Sequence, residues 1–207
     1  RELLARGARK VYAGARDPAT VTQSGVHALR LDVNRPEDVV AAAALASDVT
    51  LIINNAGIAQ PGGFLAADSE EVARRIFETN FFAMLRVSKA FAPILKANGG
   101  GALLNMLSIA SWMNGGELAA YSASKSAAWS LTNALRNELA AQKTQVLGLH
   151  MAYVDTDLTN GIDAPKSTPE LIVARAFDAL EAGAEEVLAD ELTQQVRQGL
   201  SAGVYLQ

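Results

Sequence analysis

Tyr121 and Lys125 stand four positions apart in Tyr121-Ser122-Ala123-Ser124-Lys125, a phenol and an ammonium that a helix places on one face, one turn from each other. A free phenol titrates near pH ~10, too high for ready proton exchange at neutrality, and a cation within roughly 4 to 6 Å favours its phenolate. Lys125 is a candidate for that cation. Taken alone, the pair is more simply a surface feature of a helix start. Ser108 precedes Tyr121 by thirteen positions and follows an apolar run, where a hydroxyl either holds a substrate carbonyl beside the phenol or serves as a turn residue. Asn80, in Glu78-Thr79-Asn80-Phe81-Phe82, falls inside a long helical pattern, where its amide bonds locally to the backbone, faces solvent, or does something more specific.

These residues need elements to position them, and the sequence alternates strand and helix patterns from end to end. Strands are expected over residues 10–15, 27–33, 49–54, 102–107, 146–151 and 186–189, and helices over 36–46, 69–95, 122–142, 168–182 and 190–202. Residues 49–54 form a continuous apolar run, the mark of a strand covered on both faces. Asn54-Asn55-Ala56-Gly57 closes that strand in a turn, and Gly99-Gly100-Gly101 is a turn before the next. Such alternation predicts an α/β fold, a doubly wound parallel sheet (Rossmann-like), in a single domain over residues 1–207. Ligands of such sheets bind beyond the carboxyl ends of the strands. Arg16, Asp32, Asn54, Ser108 and Thr156 all fall at or just past expected strand ends.

With 50% hydrophobic and 19% charged residues among 207, the chain is expected to bury a substantial core. A net charge of -4 favours neither nucleic acid nor an anionic membrane as partner. The absence of cysteine excludes disulfides and thiolate metal sites, and two isolated histidines, His27 and His150, form no ligand pattern. A chain without cysteine is compatible with a reducing cytoplasm, the location expected, and no apolar run reaches the roughly 18 residues that cross a bilayer.

In order and spacing, Asn54-Asn55-Ala56-Gly57, Asn80, Ser108, Tyr121 and Lys125 resemble the short-chain dehydrogenase/reductase family over residues 1–156. The resemblance implies that Tyr121 gives a proton to a carbonyl or takes one from an alcohol. It implies that Ser108 bonds the reacting oxygen, that Lys125 lowers the tyrosine pKa and binds the nicotinamide ribose, and that Asn80 anchors a water leading from Lys125 to solvent. Hydride arriving at carbon leaves charge on oxygen, which a poised acid and an oriented hydroxyl meet. For the dinucleotide, the resemblance implies contacts from Asn54, Ala56 and Gly57, adenine contacts from Asp32 and Val33, and nicotinamide contacts from Val154 and Thr156. Arg16 at its strand end suits a ribose 2′-phosphate, so NADP is expected over NAD, although Asp17 follows. A small-molecule carbonyl or alcohol is the implied substrate, and a homo-oligomer is in keeping with the family.

The sequence departs from the family pattern in several places. It contains no T-G-x-x-x-G-x-G strand-to-helix turn, the run whose backbone N–H groups cradle the pyrophosphate. Residues 1–7 read as the last turns of a helix, so an N-terminally truncated form of a longer protein is expected, with a gap in the sheet between strands 10–15 and 49–54. A start codon at or next to Arg1 would refute that expectation. Ala152-Tyr153 replaces the family's Pro-Gly, and Tyr153 either presses on the nicotinamide or fills space. Residues 158–168 form a short lid over an open pocket, and Trp112 and Met113 either touch substrate or pack. The C-terminal segment 185–207 lacks the glycine-rich ending of the ketoacyl reductases of fatty-acid synthesis, which disfavours that assignment. A dinucleotide-binding sensor or scaffold without turnover is the alternative of another class, and a chain unable to fold the third. Intact Ser108, Tyr121 and Lys125 favour the enzyme over the sensor.

Overall fold

A computed structural model describes residues 1–206. Its strands are β1 (Tyr12–Ala15), β2 (His27–Arg30), β3 (Leu51–Asn54), β4 (Gly101–Met106), β5 (Thr144–His150) and β6 (Glu186–Leu188). The helices are α1 (Glu2–Ala5), α2 (Pro36–Leu45), α3 (Ser69–Phe77), α4 (Ala83–Ala97), α5 (Ala119–Leu139), α6 (Pro169–Glu181) and α7 (Glu191–Gly199). Each pairing is parallel, as expected for strands joined by helical crossovers. The strands form two pieces, β1-β2 and β3-β4-β5-β6. Among the described residues no strand pairs β1 to β3, so the expected gap lies there.

Alternate residues of the central strands face opposite layers. Leu103 of β4 and its partner Val146 of β5 pack with Leu95, Leu135 and Leu139 of α4 and α5. The next pair, Leu104 and Leu147, packs with Ile172, Ala176 and Phe177 of α6. On the first face, α2 and α4 meet through Val39, Ala42, Ala46, Val87 and Phe91. Tyr12, Leu29, Leu31 and Ile52 join that cluster, so it bridges the gap in the sheet that no backbone hydrogen bond crosses.

Local chemistry sets the element ends. Pro36 and Pro169 occupy the first turns of α2 and α6, where a missing N–H costs nothing. Thr168 and Asp190 accept hydrogen bonds from the first-turn N–H groups of Leu171 and Thr193, capping α6 and α7. The long helix expected over 69–95 is instead α3 and α4 joined by a π-helical turn, Glu78–Phe82, in which Ala83 N–H donates to the Glu78 carbonyl. Buried Asn80 sits in this turn, and its side-chain bonds, described below, account for the interruption.

Gly101 opens β4 at φ +115°, and a Cβ there would lie 2.2 Å from the Thr50 carbonyl oxygen that accepts from Ala102 N–H. The β3-β4 register therefore excludes any side chain at this position. Gly101→Ala is expected to lower the urea midpoint with an unchanged slope, at a cost of more than about 2 kcal/mol. Gly161→Ala, at φ +80° with no atom within 4 Å of the added carbon, is the control for backbone strain alone and is expected to cost about half as much.

Candidate active site

Ser108, Tyr121 and Lys125 come together at the carboxyl ends of β4 and β5. Ser108 follows β4, while Tyr121 lies in the first turns of α5, whose start at Ala119 is earlier than its sequence pattern suggests. Ser108 Oγ accepts from Ala110 N–H at 3.1 Å, which leaves its own proton to be donated elsewhere. Its hydroxyl faces the Tyr121 phenol and offsets part of a rise in the phenol's pKa caused by burial. Lys125 Nζ is buried, donates to the Met106 carbonyl at 2.7 Å, and lies 5.8 Å from the centre of the Tyr121 ring. Burial of the phenol is the dominant effect on its pKa and pushes it upward.

Asn80 is fully buried and spends nearly all its hydrogen-bonding capacity on two neighbours. Oδ1 accepts from Ile58 N–H at 2.8 Å, while Nδ2 donates to the Ile58 carbonyl at 2.9 Å and to Ser124 Oγ at 2.9 Å. Ser124 Oγ in turn donates to the Tyr121 carbonyl at 2.7 Å. Asn80 thus ties the loop after β3 to the helix carrying Tyr121 and Lys125, and one Oδ1 lone pair is the side chain's remaining capacity for a water. Gly57 lies in that loop, and a Cβ on it would sit 3.5 Å from Asn80 Oδ1 and 3.8 Å from Lys125 Nζ.

A second polar chain runs beneath the site. Asn54 Nδ2 donates to Asn105 Oδ1 at 2.8 Å and to Ser88 Oγ at 3.2 Å, and Asn105 Nδ2 donates to Thr132 Oγ1 at 3.0 Å. Asn54 and Asn105 are register partners on β3 and β4. Of these, sequence reasoning singled out only Asn54. Asn105 carries a usable signal, a polar residue in an apolar strand beside another strand that ends in Asn; Ser88 and Thr132 carry none, since both types are common on helices.

A cleft of about 220 Å³ lies across the gap in the sheet, lined in part by Gly14, Val33, Asn54, Asn55 and Ala56. Three of the expected dinucleotide residues, Val33, Asn54 and Ala56, therefore share one cavity. Arg16 is exposed at the end of β1, and the carboxylate of Asp17 is committed to Ala19 N–H at 3.0 Å. Asp32 accepts from Asn34 N–H at 3.0 Å, and the Val33 carbonyl is held by Arg86 at 2.8 Å. Val154 and Thr156 lie in the loop after β5, on a segment pinned by Asp155 N–H to the Ser167 carbonyl at 3.0 Å and by Ser167 N–H to the Tyr153 carbonyl at 2.9 Å. Trp112, offered by the sequence as a substrate contact or a packing residue, is stacked on His150 with ring centres 4.1 Å apart. It packs.

A parallel sheet covered by helices, with a hydroxyl, a phenol and a lysine converging at its strand ends, defines the Rossmann-like class of α/β proteins. Residues 1–167 match the sequence model of the short chain dehydrogenase family, and the chain belongs to that family. It is 34% identical over 159 residues to 1-deoxy-11-beta-hydroxypentalenate dehydrogenase of Streptomyces exfoliatus, covering 73% of this chain and 58% of that protein. It is 34% identical over 170 residues to galactitol 2-dehydrogenase (L-tagatose-forming) of Cereibacter sphaeroides, covering 77% of this chain and 66% of that protein. The matches thus span 58% and 66% of the length of these curated relatives. The structure superposes on a short chain dehydrogenase from Burkholderia cenocepacia J2315, solved in complex with NADP, with a TM-score of 0.92 and 39% identity, covering 98% of this chain and 86% of that one. A short-chain dehydrogenase from Sphingobium yanoikuyae, in complex with NADPH, gives a TM-score of 0.76 at 26% identity over 98% of this chain and 89% of that one.

Burial lowers the pKa of Lys125 from 10.5 to about 8. Below that value the folded state bears the full cost of a buried charge. Between it and 10.5 the unfolded chain holds a proton that the folded chain has shed, so this group's contribution to stability rises with pH. Thermal unfolding of the wild type is expected to gain on that of Lys125→Met from pH ~7.5 to ~10, by up to about 3 kcal/mol. A constant difference across the window would remove the claim.

Proposed function

We propose that the protein transfers hydride between a nicotinamide dinucleotide, NADP in preference to NAD, and a carbonyl or secondary alcohol of a small organic molecule. The observation that carries this reading is the convergence of Ser108, Tyr121 and Lys125, with Lys125 Nζ and Asn80 Oδ1 set against the loop that holds Gly57. The cofactor, when bound, supplies or accepts the hydride. Ser108 donates to the reacting oxygen, since its acceptor side already serves Ala110. Tyr121 carries the proton that the oxygen gains or loses, and burial keeps the phenol protonated until an oxyanion develops beside it. Lys125 has spent one of its three N–H donors on Met106, and the other two suit the hydroxyls of a ribose.

The residues present fit two ends of a dinucleotide unequally with its middle. Lys125, Tyr121, Val154 and Thr156 would hold the nicotinamide riboside, and Asp32 and Val33 the adenine, with Asn54, Ala56 and Gly57 between. Among the described residues no glycine-rich turn links a strand to a helix at the cleft, so no backbone cradle for the pyrophosphate is assigned. Preference for NADP is supported by the exposed guanidinium of Arg16 at the end of β1. The NADP and NADPH bound to the Burkholderia and Sphingobium relatives agree with this.

Two variants test the reading in an NADPH-linked assay over a panel of carbonyl compounds. Tyr121→Phe is expected to lower kcat at least about 10²-fold while NADPH affinity stays within a few-fold. Unchanged turnover would take Tyr121 out of the chemistry, and binding without turnover on any compound would favour a dinucleotide sensor. Arg16→Asp is expected to reduce the preference for NADPH over NADH about tenfold or more, the worth of one charge-assisted contact to a phosphate. An unchanged ratio would place the 2′-phosphate elsewhere or nowhere.

A further inference from the structure

His150 ends β5 and takes no part in the chemistry above, yet it is among the most enclosed polar side chains in the molecule, at 0% exposure. Its ring is stacked on Trp112 and lies edge-on to Trp129, with centres 6.3 Å apart at 78°. Nδ1 is 3.2 Å from the Ser108 carbonyl oxygen, and Nε2 is 3.2 Å from Glu186 Oε1. The second contact is in ion-pair range but out of line for a straight hydrogen bond, and Nε2 has no other partner among the described residues. Arg197 completes the cluster, 3.4 Å from the other oxygen of Glu186 and 5.4 Å from the Trp112 ring centre.

The two oxygens decide the proton inventory. A carbonyl only accepts, and so does an ionised carboxylate. Glu186 is held below the usual carboxylate range, first by His150 and then also by Arg197, so it is the anion at neutral pH. Because the carbonyl only accepts, the contact at Nδ1 needs the ring proton on Nδ1, while Nε2 lies beside Glu186 without a hydrogen bond. Arg197 on α7 holds the other oxygen of Glu186.

The Ser108 peptide is the one this arrangement grips. Ser108 N–H reaches Ser111 Oγ at 3.4 Å, Ile109 N–H donates to the Met151 carbonyl at 2.9 Å, and the Ser108 carbonyl accepts from Ser111 N–H at 2.9 Å, leaving its second lone pair for His150 Nδ1. We propose that His150 is a positioning residue for Ser108: clamped between Trp112 and Trp129, with Nδ1 against the Ser108 carbonyl and Glu186 beside Nε2, it fixes the peptide that aims the Ser108 hydroxyl at Tyr121. The consequence for catalysis rests on the oxidoreductase reading; the ring's hold on the peptide does not.

Two measurements on the full chain test this. The chain has only two histidines, so ¹⁵N-histidine labelling reads His150 against exposed His27. In the wild type Nδ1 of His150 is expected to carry a proton, and Glu186→Gln, at a half-buried surface position, and His150→Phe are each expected to shift the Ile109 amide resonance. An unprotonated Nδ1 in the wild type, or an unmoved Ile109 resonance in both variants, would overturn the proposal whether or not the protein turns over a carbonyl. In the NADPH-linked assay, Glu186→Gln and His150→Phe, the latter keeping an aromatic ring between the two tryptophans, are expected to lower kcat between about 10 and 100-fold with NADPH affinity within a few-fold. Unchanged kcat in both variants would refute the positioning role, while absence of turnover in the wild type would refute the oxidoreductase reading and leave the resonance measurements to decide whether His150 holds the Ser108 peptide.

Discussion

Burying a primary amide without partners costs about 1 to 3 kcal/mol or more, and Asn80 avoids that cost only if the loop after β3 and helix α5 lie where they do. Its pair of bonds to the N–H and carbonyl of Ile58 imitates a strand neighbour, so three residues of loop after Asn54 have little freedom left. Its bond to Ser124 reaches one turn of α5, and Ser124 passes the constraint to the backbone of Tyr121. The π-helical turn follows from the same requirement. An uninterrupted helix through Glu78–Phe82 would rotate Asn80 relative to α3 and α4, and the wider turn lets one residue face the loop while both flanking helices keep their apolar sides on the core.

Below this lies the pairing of Asn54 with Asn105, two polar side chains at the ends of adjacent parallel strands. Strands of four to seven residues offer few ladder bonds, and a slip in register would leave both amides unpaired in an apolar interior. The network therefore specifies alignment as much as it adds stability. It also sets where the strands end, and so where Ser108 and the Asn54 to Gly57 turn emerge.

The sequence made the order of elements plain, because apolar runs, Pro at helix starts and Gly at their ends act locally. Ser108, Tyr121 and Lys125 were legible for a different reason: their chemistry is unusual at that spacing. What could not be read was every effect that depends on the third dimension. Asn80 looked like a weak helix former, since nothing in Thr79-Asn80-Phe81 says that Ile58 is its partner. Trp112 reads in sequence as a packing residue more readily than a substrate contact, but nothing local names His150 as the ring it stacks on. The spacing of Tyr121 and Lys125 carries no measure of burial, which raises the phenol and lowers the lysine together.

The two ends of the candidate cofactor site are held by different physics. The acid-base end stands on β3-β4-β5-β6, where ladder bonds, the Asn54-Asn105 pair and the Asn80 bonds act together. The Arg16 end stands on a two-stranded piece joined to the rest by the apolar cluster around Val39 and Val87 and by a few side-chain bonds: Arg86 to the Val33 carbonyl, Asn34 to Thr79, and Tyr12 and Lys10 to Asp48. Apolar contact is non-directional and tolerates small sliding, whereas a hydrogen-bonded ladder does not. Two strands alone are marginal in water, so β1-β2 depends on that cluster for its order. Affinity for the adenine end should therefore respond to packing changes at Val39, Ala42 or Val87, far from any ligand, while the geometry of Ser108, Tyr121 and Lys125 remains that of the four-stranded piece.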